Sequence, residues 1–324
     1  MDKVSVIVPT YKGHSSVIIA VKSILNQNSE NLIEIIVVDD NGEGSYNQIE
    51  TEKVLQQYID NKDIIYIKHK VNKNGSAARN TGLKYSTGEY IVFLDDDDFL
   101  LPNYITSQIS NIKKAGNDYG LSVASGYYVR EDGKGYIKKI KFSEDFLYNY
   151  LMDYNYFSTS AILFRREIVE KVNGFNEEFS RHQDWEFCTR VLVQTKATYI
   201  NQPVFIKYAK NRNTPKSLDT MVEQLDYYFS KLNPILNQYL NKKEINDIKF
   251  NKYKKVFWNH VFSRKFKDGV SMVIERDGTY LTIIKYIINL IAFVIKRIFI
   301  GSRKVTYSYD EVKIKAGVYT ENDY

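Results

Sequence analysis

A chain of 324 residues with 44% hydrophobic and 14% aromatic content is long enough for one large domain or two ordinary ones, and apolar enough to bury a sizeable core, which excludes a disordered chain. Its formal charge of +6 is spread over many segments, so it suits an anionic substrate or a membrane surface, selects neither, and gives no reason to expect nucleic acid. The single cysteine, Cys188, excludes an internal disulfide, and the opening MDKVSVIVPTYK lacks the apolar stretch of a secretory leader, so a cytoplasmic protein is expected.

The first third alternates short β-branched runs with stretches at helical spacing. Strands are expected at VSVIVP (4–9), IEIIVVDD (33–40), IIYIKH (64–69) and YIVFLDD (90–96), and helices at 16–27, 46–60 and 76–88. Such alternation builds an α/β fold with a mostly parallel sheet flanked by helices, and ligands bind beyond the carboxyl ends of its strands. The strand-ending residues Pro9, Thr10 and Tyr11, then Asp39 and Asp40, then Asp95 to Asp98 should gather along one rim. Further on, strands are expected at 121–129, 156–164 and 197–200, and helices at 102–116 and 183–195. Beyond Pro215 the strands stop and 217–262 reads as helical. The expected organisation is a catalytic domain over 1–215, with a nucleotide-binding half (1–98) and an acceptor half (99–215), followed by a mainly helical region over 216–324.

The stretch FLDDDDFLLP (93–102) sets four carboxylates side by side, and folding alone gives no reason to do so, because like charges at this spacing repel. A bound cation gives one. Mg²⁺ and Mn²⁺ take hard oxygen ligands, commonly one or two carboxylates together with the phosphate oxygens of a substrate, so Asp-x-Asp at a strand end suits a metal–nucleotide site. The competing reading is a helix start carrying surplus acids, with Pro102 opening the helix. The pair Asp39-Asp40 is by itself a common turn signal and gains weight from sharing the rim with the tetrad.

Taken in order, VSVIVPTYK, IIVVDDNG, NKNGSAARNTGLKYSTGEYIVFLDDDD, ILFRREIVEKVNGFNEEF and RHQDWEF resemble the successive motifs of the family 2 glycosyltransferases, inverting enzymes of the Rossmann-like GT-A fold, over roughly residues 3 to 200. The resemblance implies that Pro9, Thr10 and Tyr11 lie beside the nucleotide base, that Asp39 hydrogen-bonds the base, and that Asn74, Gly75 and Arg79 line the nucleotide pocket. It implies that Asp95 or Asp96 reaches the ribose and that Asp97 holds a divalent cation, Mn²⁺ or Mg²⁺, which would relieve the repulsion within the tetrad. Asp184 stands at the position of the base, preceded by Gln183 where the family usually has Glu, with Glu186 as the competing candidate. Ser158 and Thr159 would border donor sugar and acceptor, Trp185 either stacks on a sugar or anchors the core, and His182 reads as a surface residue. Gly174 and Phe175 read as turn and packing residues. The segment KYAKNRNTPKS (207–217) lacks the family's histidine, and Lys210 or Arg212 would meet the phosphates instead.

The implied activity is metal-dependent, inverting transfer from a nucleotide sugar, expected to be a UDP-sugar, to a hydroxyl of a glycan or lipid-linked oligosaccharide in cell-surface polysaccharide synthesis. The alternatives are an inactive GT-A domain serving as a binding or scaffolding subunit, or a sugar-phosphate nucleotidyltransferase, for which PTYKGHSS lacks the glycine-rich loop. Lastly, YLTIIKYIINLIAFVIKRIFIG (280–301) is apolar around most of its circumference, with Thr282, Lys285, Asn289 and Lys296 along one stripe. Its charges interrupt a membrane span, so a helix lying in the interface is expected, with basic residues through 304 near anionic headgroups at the inner face of the cell membrane. A core helix or a dimer seam is the alternative.

Overall fold

The computed structural model describes residues 1–130, 135–140, 145–153, 157–209, 217–263, 265–277 and 283–288. The described residues within 1–147 and 157–210 form one compact unit, and those within 148–156 and 211–304 form a second.

In chain order the elements are β1 (Lys3–Thr10), α1 (Val17–Leu25), β2 (Leu32–Asp39), α2 (Tyr46–Asp60), β3 (Ile65–Lys68), α3 (Gly75–Tyr85), β4 (Tyr90–Phe93), β5 (Phe99–Leu100), α4 (Tyr104–Ala115), β6 (Tyr119–Arg130), β7 (Gly135–Lys138), α5 (Phe146–Leu151), β8 (Ile162–Arg165), α6 (Arg166–Lys171), α7 (Gln183–Leu192) and β9 (Lys196–Ala209). The helices α8 (Leu218–Tyr239), α9 (Lys242–Phe262) and α10 (Phe266–Asp277) follow, and 283–288 is helical too. The sheet order is β3-β2-β1-β4-β8-β6-β9-β5, with β7 on β6. Strands β1 to β4 are parallel to one another, and β8 enters antiparallel to β4. The chain winds outward from β1 to β3 and then lays β4 on the other side of β1. The order therefore reverses between β1 and β4, the place where open α/β sheets hold their ligands.

The central strands are buried on both faces: Val6, Ile7, Val8, Ile91, Val92 and Phe93 expose no surface, as a parallel sheet covered by helices requires. Phe93, the last residue of β4, meets Phe164, Phe175 and Phe187 edge-on at 6.0, 5.0 and 5.9 Å, and Phe175 stacks on Phe187 at 4.0 Å. Such pairs contribute about 0.5–1.5 kcal/mol each beyond their burial. This aromatic cluster ties α7 to the end of β4, so it fixes where Asp184 stands.

Several elements differ from the sequence expectation. Strand β4 stops at Phe93 and the tetrad forms a turn into the two-residue β5, closed by the Asp98 N–H donating to the Asp95 carbonyl at 3.0 Å. The acids are thus not a helix start: α4 begins at Tyr104. The strand expected at 156–164 is a short 3-10 turn, Thr159–Ala161, followed by β8. The strand expected at 197–200 runs on to Ala209 through a bulge opposite Ser125, because Pro203 interrupts the pairing without ending the strand.

In the second unit, α8 starts on Ser217, whose side chain accepts from Thr220 N, and α9 starts on a reciprocal Asn241–Glu244 capping box. Residues 148–153 pack here: Asn251 donates to the Met152 carbonyl at 2.9 Å, and Asp153 pairs with buried Lys252 and with Lys255, both at 2.6 Å. Of the segment 280–301 only 283–288 is described. Ile283 and Tyr286 are buried, while Ile284, Lys285, Ile287 and Ile288 are exposed. No described helix is long and apolar enough to cross a membrane.

Helix α3 lies against β1 through Gly82, where a Cβ would come within 2.3 Å of Ile7 Cγ2. Gly82→Ala should therefore lower stability by about 1–3 kcal/mol through overpacking, read as a lower denaturant midpoint at unchanged slope. Wild-type stability in this variant would show that α3 has room to move.

Candidate active site

The four carboxylates of the turn occupy four different environments. Asp95 accepts from Arg79 Nη2 at 2.7 Å on one oxygen and from Lys207 Nζ at 3.3 Å on the other. Its backbone N–H donates to Ser160 Oγ at 3.2 Å. Burial alone would raise its pKa, but Lys207 and Arg79 together hold the carboxyl well below the usual range. Asp96 is buried and accepts from Thr10 Oγ1 at 2.6 Å. That bond crosses the point between β1 and β4, and it needs Gly13, where any Cβ would sit 1.7 Å from Asp96 Oδ2. Asp97 is half-buried. Asp98 exposes nothing and accepts from Lys207 Nζ at 3.0 Å and from Tyr208 N at 3.2 Å. Burial pushes its pKa up, aided by Asp97 and Asp95 and opposed by Lys207.

The repulsion that the sequence raised is thus relieved in large part by the protein itself, through Arg79, Lys207, the Thr10 hydroxyl and the Tyr208 N–H. Lys207 was only one of several basic residues in the sequence reading. The signal that finds it is register, because β5 and β9 pair Phe99 with Ile206 and so set residue 207 beside Asp98. Lys210 and Arg212, the expected phosphate contacts, lie outside the described residues.

At the carboxyl end of β1, Pro9 is half-buried, Thr10 is engaged with Asp96, and Tyr11 is 47% exposed with Lys12 Nζ 5.0 Å from its ring centroid. Of the three, Tyr11 presents an open aromatic face. At the end of β2 the two acids do structural chemistry. Asp39 is 0% exposed, accepts from Tyr66 Oη at 2.7 Å, and accepts from the Asn41 N–H and side-chain amide at 2.9 and 2.8 Å. In this structure Asp39 supports the loop after β2, and its expected contact with a nucleotide base remains a proposal. Asp40, given no role by the motif reading, accepts from His69 Nδ1, Asn72 Nδ2, Lys73 N and Asn74 N at 2.7–2.9 Å. Those bonds shape the loop that delivers Asn74 to α3.

Asn74 caps α3, accepting from Ser76 N and Ala77 N at 2.9 and 3.1 Å. Two N–H donors of the helix start are therefore already used. Gly75 leaves room for the guanidinium, since a Cβ there would lie 3.0 Å from Arg79 Nη1 and 3.1 Å from Gln183 Oε1. Arg79 reaches from α3 to Asp95, and its Nη1 lies 3.4 Å from Gln183 Oε1 at the start of α7. One side chain thus links α3, the turn after β4 and the start of α7.

Asp184 is half-buried in the first turn of α7. Burial raises its pKa, opposed by the Trp185 N–H and Arg79 and aided by Asp95. Glu186, the competing base, is buried in a two-pronged pair with Arg190 at 2.6 and 2.7 Å, and Arg190 also donates to the Gly174 carbonyl at 2.8 Å. It serves packing. Trp185 stacks on His182 at 4.4 Å. Ser158 and Thr159 are buried.

Among the described residues no group of three His, Cys, Asp or Glu is arranged to cage a metal ion. The donor chemistry that is present, hard carboxylate oxygens with Asp97 half-exposed at the turn, fits an ion that draws most of its ligands from a diphosphate and water.

The profile of glycosyl transferase family 2 matches residues 5–172. The amylovoran biosynthesis glycosyltransferase AmsB of Erwinia amylovora is 28% identical over 193 residues, covering 57% of this chain and 62% of that protein. Poly(ribitol-phosphate) β-N-acetylglucosaminyltransferase TarP of Staphylococcus aureus is 29% identical over 202 residues, covering 60% of this chain and 59% of its own. Both matches span less than two thirds of the relative. Among solved structures, Staphylococcus aureus TarS in complex with UDP-GlcNAc superposes with a TM-score of 0.55 at 15% identity, covering 86% of this chain and 93% of that one. The mannosyltransferase PcManGT of Pyrobaculum calidifontis, in complex with GDP-Man and Mn²⁺, gives 0.57 at 15% identity, covering 98% and 86%. The structural likeness is one of fold, and with the profile match it means that this chain belongs to glycosyl transferase family 2 and adopts the GT-A fold.

Proposed function

We propose that the protein transfers a sugar, with inversion, from a nucleotide diphosphate sugar to a hydroxyl of a glycan or lipid-linked acceptor in polysaccharide synthesis. The observation that carries this reading is one charge cluster where the strand order reverses: Arg79 pairs with Asp95 at 2.7 Å and lies 3.4 Å from Gln183, the neighbour of Asp184, and Lys207 pairs with Asp95 and Asp98 at 3.3 and 3.0 Å. Relatives named for amylovoran and poly(ribitol-phosphate) chemistry support the acceptor class. Neighbours solved with UDP-GlcNAc and GDP-Man support the donor class, with a UDP-sugar as our choice.

In this reading the base lies on the open ring of Tyr11, and Asp97 marks the diphosphate end. The acceptor oxygen attacks the anomeric carbon from the face opposite the diphosphate, the new C–O bond forming as the bond to the phosphate oxygen breaks. Asp184 takes the acceptor's proton, and its raised pKa makes it a stronger base than an ordinary aspartate. Gln183 fits this task because it adds no second carboxylate that would draw Arg79 from Asp95. A Mn²⁺ or Mg²⁺ ion held through Asp97 would stabilise the charge that develops on the leaving diphosphate. The exposed face of Ile284, Ile287 and Ile288 beside Lys285 supports association with an anionic membrane, at the cytoplasmic side, where a lipid-linked acceptor would be met.

Asp184→Asn should lower turnover by about 10²–10⁴-fold with donor affinity unchanged. In the wild type kcat/KM should rise with pH through a midpoint above the ordinary aspartate value of 3.8. A raised folded-state pKa means that ionising Asp184 opposes folding, so the Asn variant should be at least as stable as wild type at pH 7. An active Asp184→Asn enzyme would remove the base role.

The metal role is read by calorimetry of UDP with and without Mn²⁺. Affinity should depend on the ion in the wild type and lose that dependence in Asp97→Ala. Equal UDP affinity with and without metal in the wild type would end the assignment. For the membrane, Ile284→Asn combined with Ile288→Asn should weaken flotation with anionic vesicles while the fold is retained by circular dichroism, and binding by the wild type should fall with salt. Undiminished flotation of the double variant would exclude this face.

A further inference from the structure

The loops that follow β1 and β2 are joined at the rim by the side chain of Asn41. Its Oδ1 accepts from the Lys12 N–H at 2.7 Å, and its Nδ2 donates to Asp39 Oδ1 at 2.8 Å. The amide fits only this way round, because the Lys12 N–H can only donate and Asp39 Oδ1 already accepts the Asn41 N–H at 2.9 Å. The other oxygen of Asp39 accepts from Tyr66 Oη on β3 at 2.7 Å, and the Asn41 carbonyl accepts from Ser45 Oγ, the cap of α2, at 3.2 Å. One end of the link is thus anchored to two elements. The other end grips one backbone N–H.

That N–H belongs to a residue with φ of 56°, in the left-handed region that a lysine keeps only where its surroundings enforce it. Lys12 stands between two positions that the rim needs. Tyr11 is the exposed ring on which the proposed function sets the nucleotide base, and Gly13 passes so close to Asp96 that a Cβ there would lie 1.7 Å from Oδ2. A relaxed, negative φ at residue 12 would redirect the chain between them. We propose that Asn41 is a positioning residue for the donor: by holding Lys12 left-handed it presets the Tyr11 ring before the nucleotide arrives. The inference rests on the proposed function in taking Tyr11 as the surface on which the base stacks. A loop already in its bound conformation loses less freedom on binding, so the gain is in donor affinity, while the bond-making atoms at the far end of the diphosphate are untouched.

The test is a double-mutant cycle between Asn41→Ala and Lys12→Gly in the full chain, read as affinity for UDP with Mn²⁺ by calorimetry and for uridine by ligand-observed NMR. Glycine takes the left-handed region without steric cost and so removes the need for the amide. Lys12→Gly alone is the baseline for losing the lysine side chain, whose Nζ lies 5.0 Å from the Tyr11 ring centroid. With Lys12 present, Asn41→Ala should weaken both ligands about tenfold and raise the donor KM with kcat retained. In the Lys12→Gly background the same substitution should cost less than about threefold. Asn41 is half-buried in a turn, and circular dichroism checks that the variants keep the fold. An equal loss in both backgrounds, which is what support of Asp39 or of the fold alone predicts, overturns the proposal, and so does wild-type affinity in Asn41→Ala. Tyr11→Ala separates the two readings. Unchanged uridine affinity in that variant ends the stacking role of Tyr11 and this proposal with it, whereas a loss there beside an unaffected Asn41→Ala ends this proposal alone.

Discussion

The site depends on one carboxylate held between two cations. Asp95 lies in a turn, Arg79 on α3 and Lys207 on β9, and the pairs join residues 16 and 112 positions apart in the chain. A buried carboxylate without partners costs several kcal/mol, whereas hydrogen bonds to charged groups return about 1.5–3 kcal/mol each, so the turn forms only when all three elements are in place. The surplus matters as well. Burial raises the pKa of Asp98, which shares only Lys207 with Asp95, at 3.0 against 3.3 Å, and burial likewise raises that of Asp184, which Arg79 and Lys207 only partly offset. A carboxyl that is short of positive charge is what a proton-accepting step needs. Burial at the start of α7, with Asp95 nearby, makes Asp184 basic, and the cations that make the tetrad tolerable do not fully cancel that shift.

Three of the six described non-glycine residues with positive φ fall around the same rim. Of the non-glycine residues with positive φ, Lys12 (56°) follows the end of β1, Asn74 (100°) caps α3, and His182 (60°) caps α7. Each costs about 1–3 kcal/mol unless its surroundings enforce it. Hydrogen bonds enforce the first two: the Lys12 N–H donates to Asn41 Oδ1 at 2.7 Å, and the Asn74 N–H to Asp40 at 2.9 Å. The third is braced by the stack of His182 on Trp185. Asp39 and Asp40 belong in this account, as buried acceptors that hold loops at the angles the rim needs.

The parallel half was legible because its strands are short β-branched runs separated by amphipathic stretches, and period alone distinguishes the two. The rim followed, since strand ends must gather on one side. What the sequence concealed were contacts set by long-range register. Lys207 looked like any other basic residue until β9 laid it beside Asp98, and the pairing of Glu186 with Arg190 became decisive once the packing of α7 buried it. Motif position favoured Asp184 over Glu186, but only burial and the two-pronged pair give Glu186 a separate task. Asp39 shows what motif position leaves out. Motif position does not report exposure, and the structure adds that Tyr66 and Asn41 bond both oxygens of this strand-end acid.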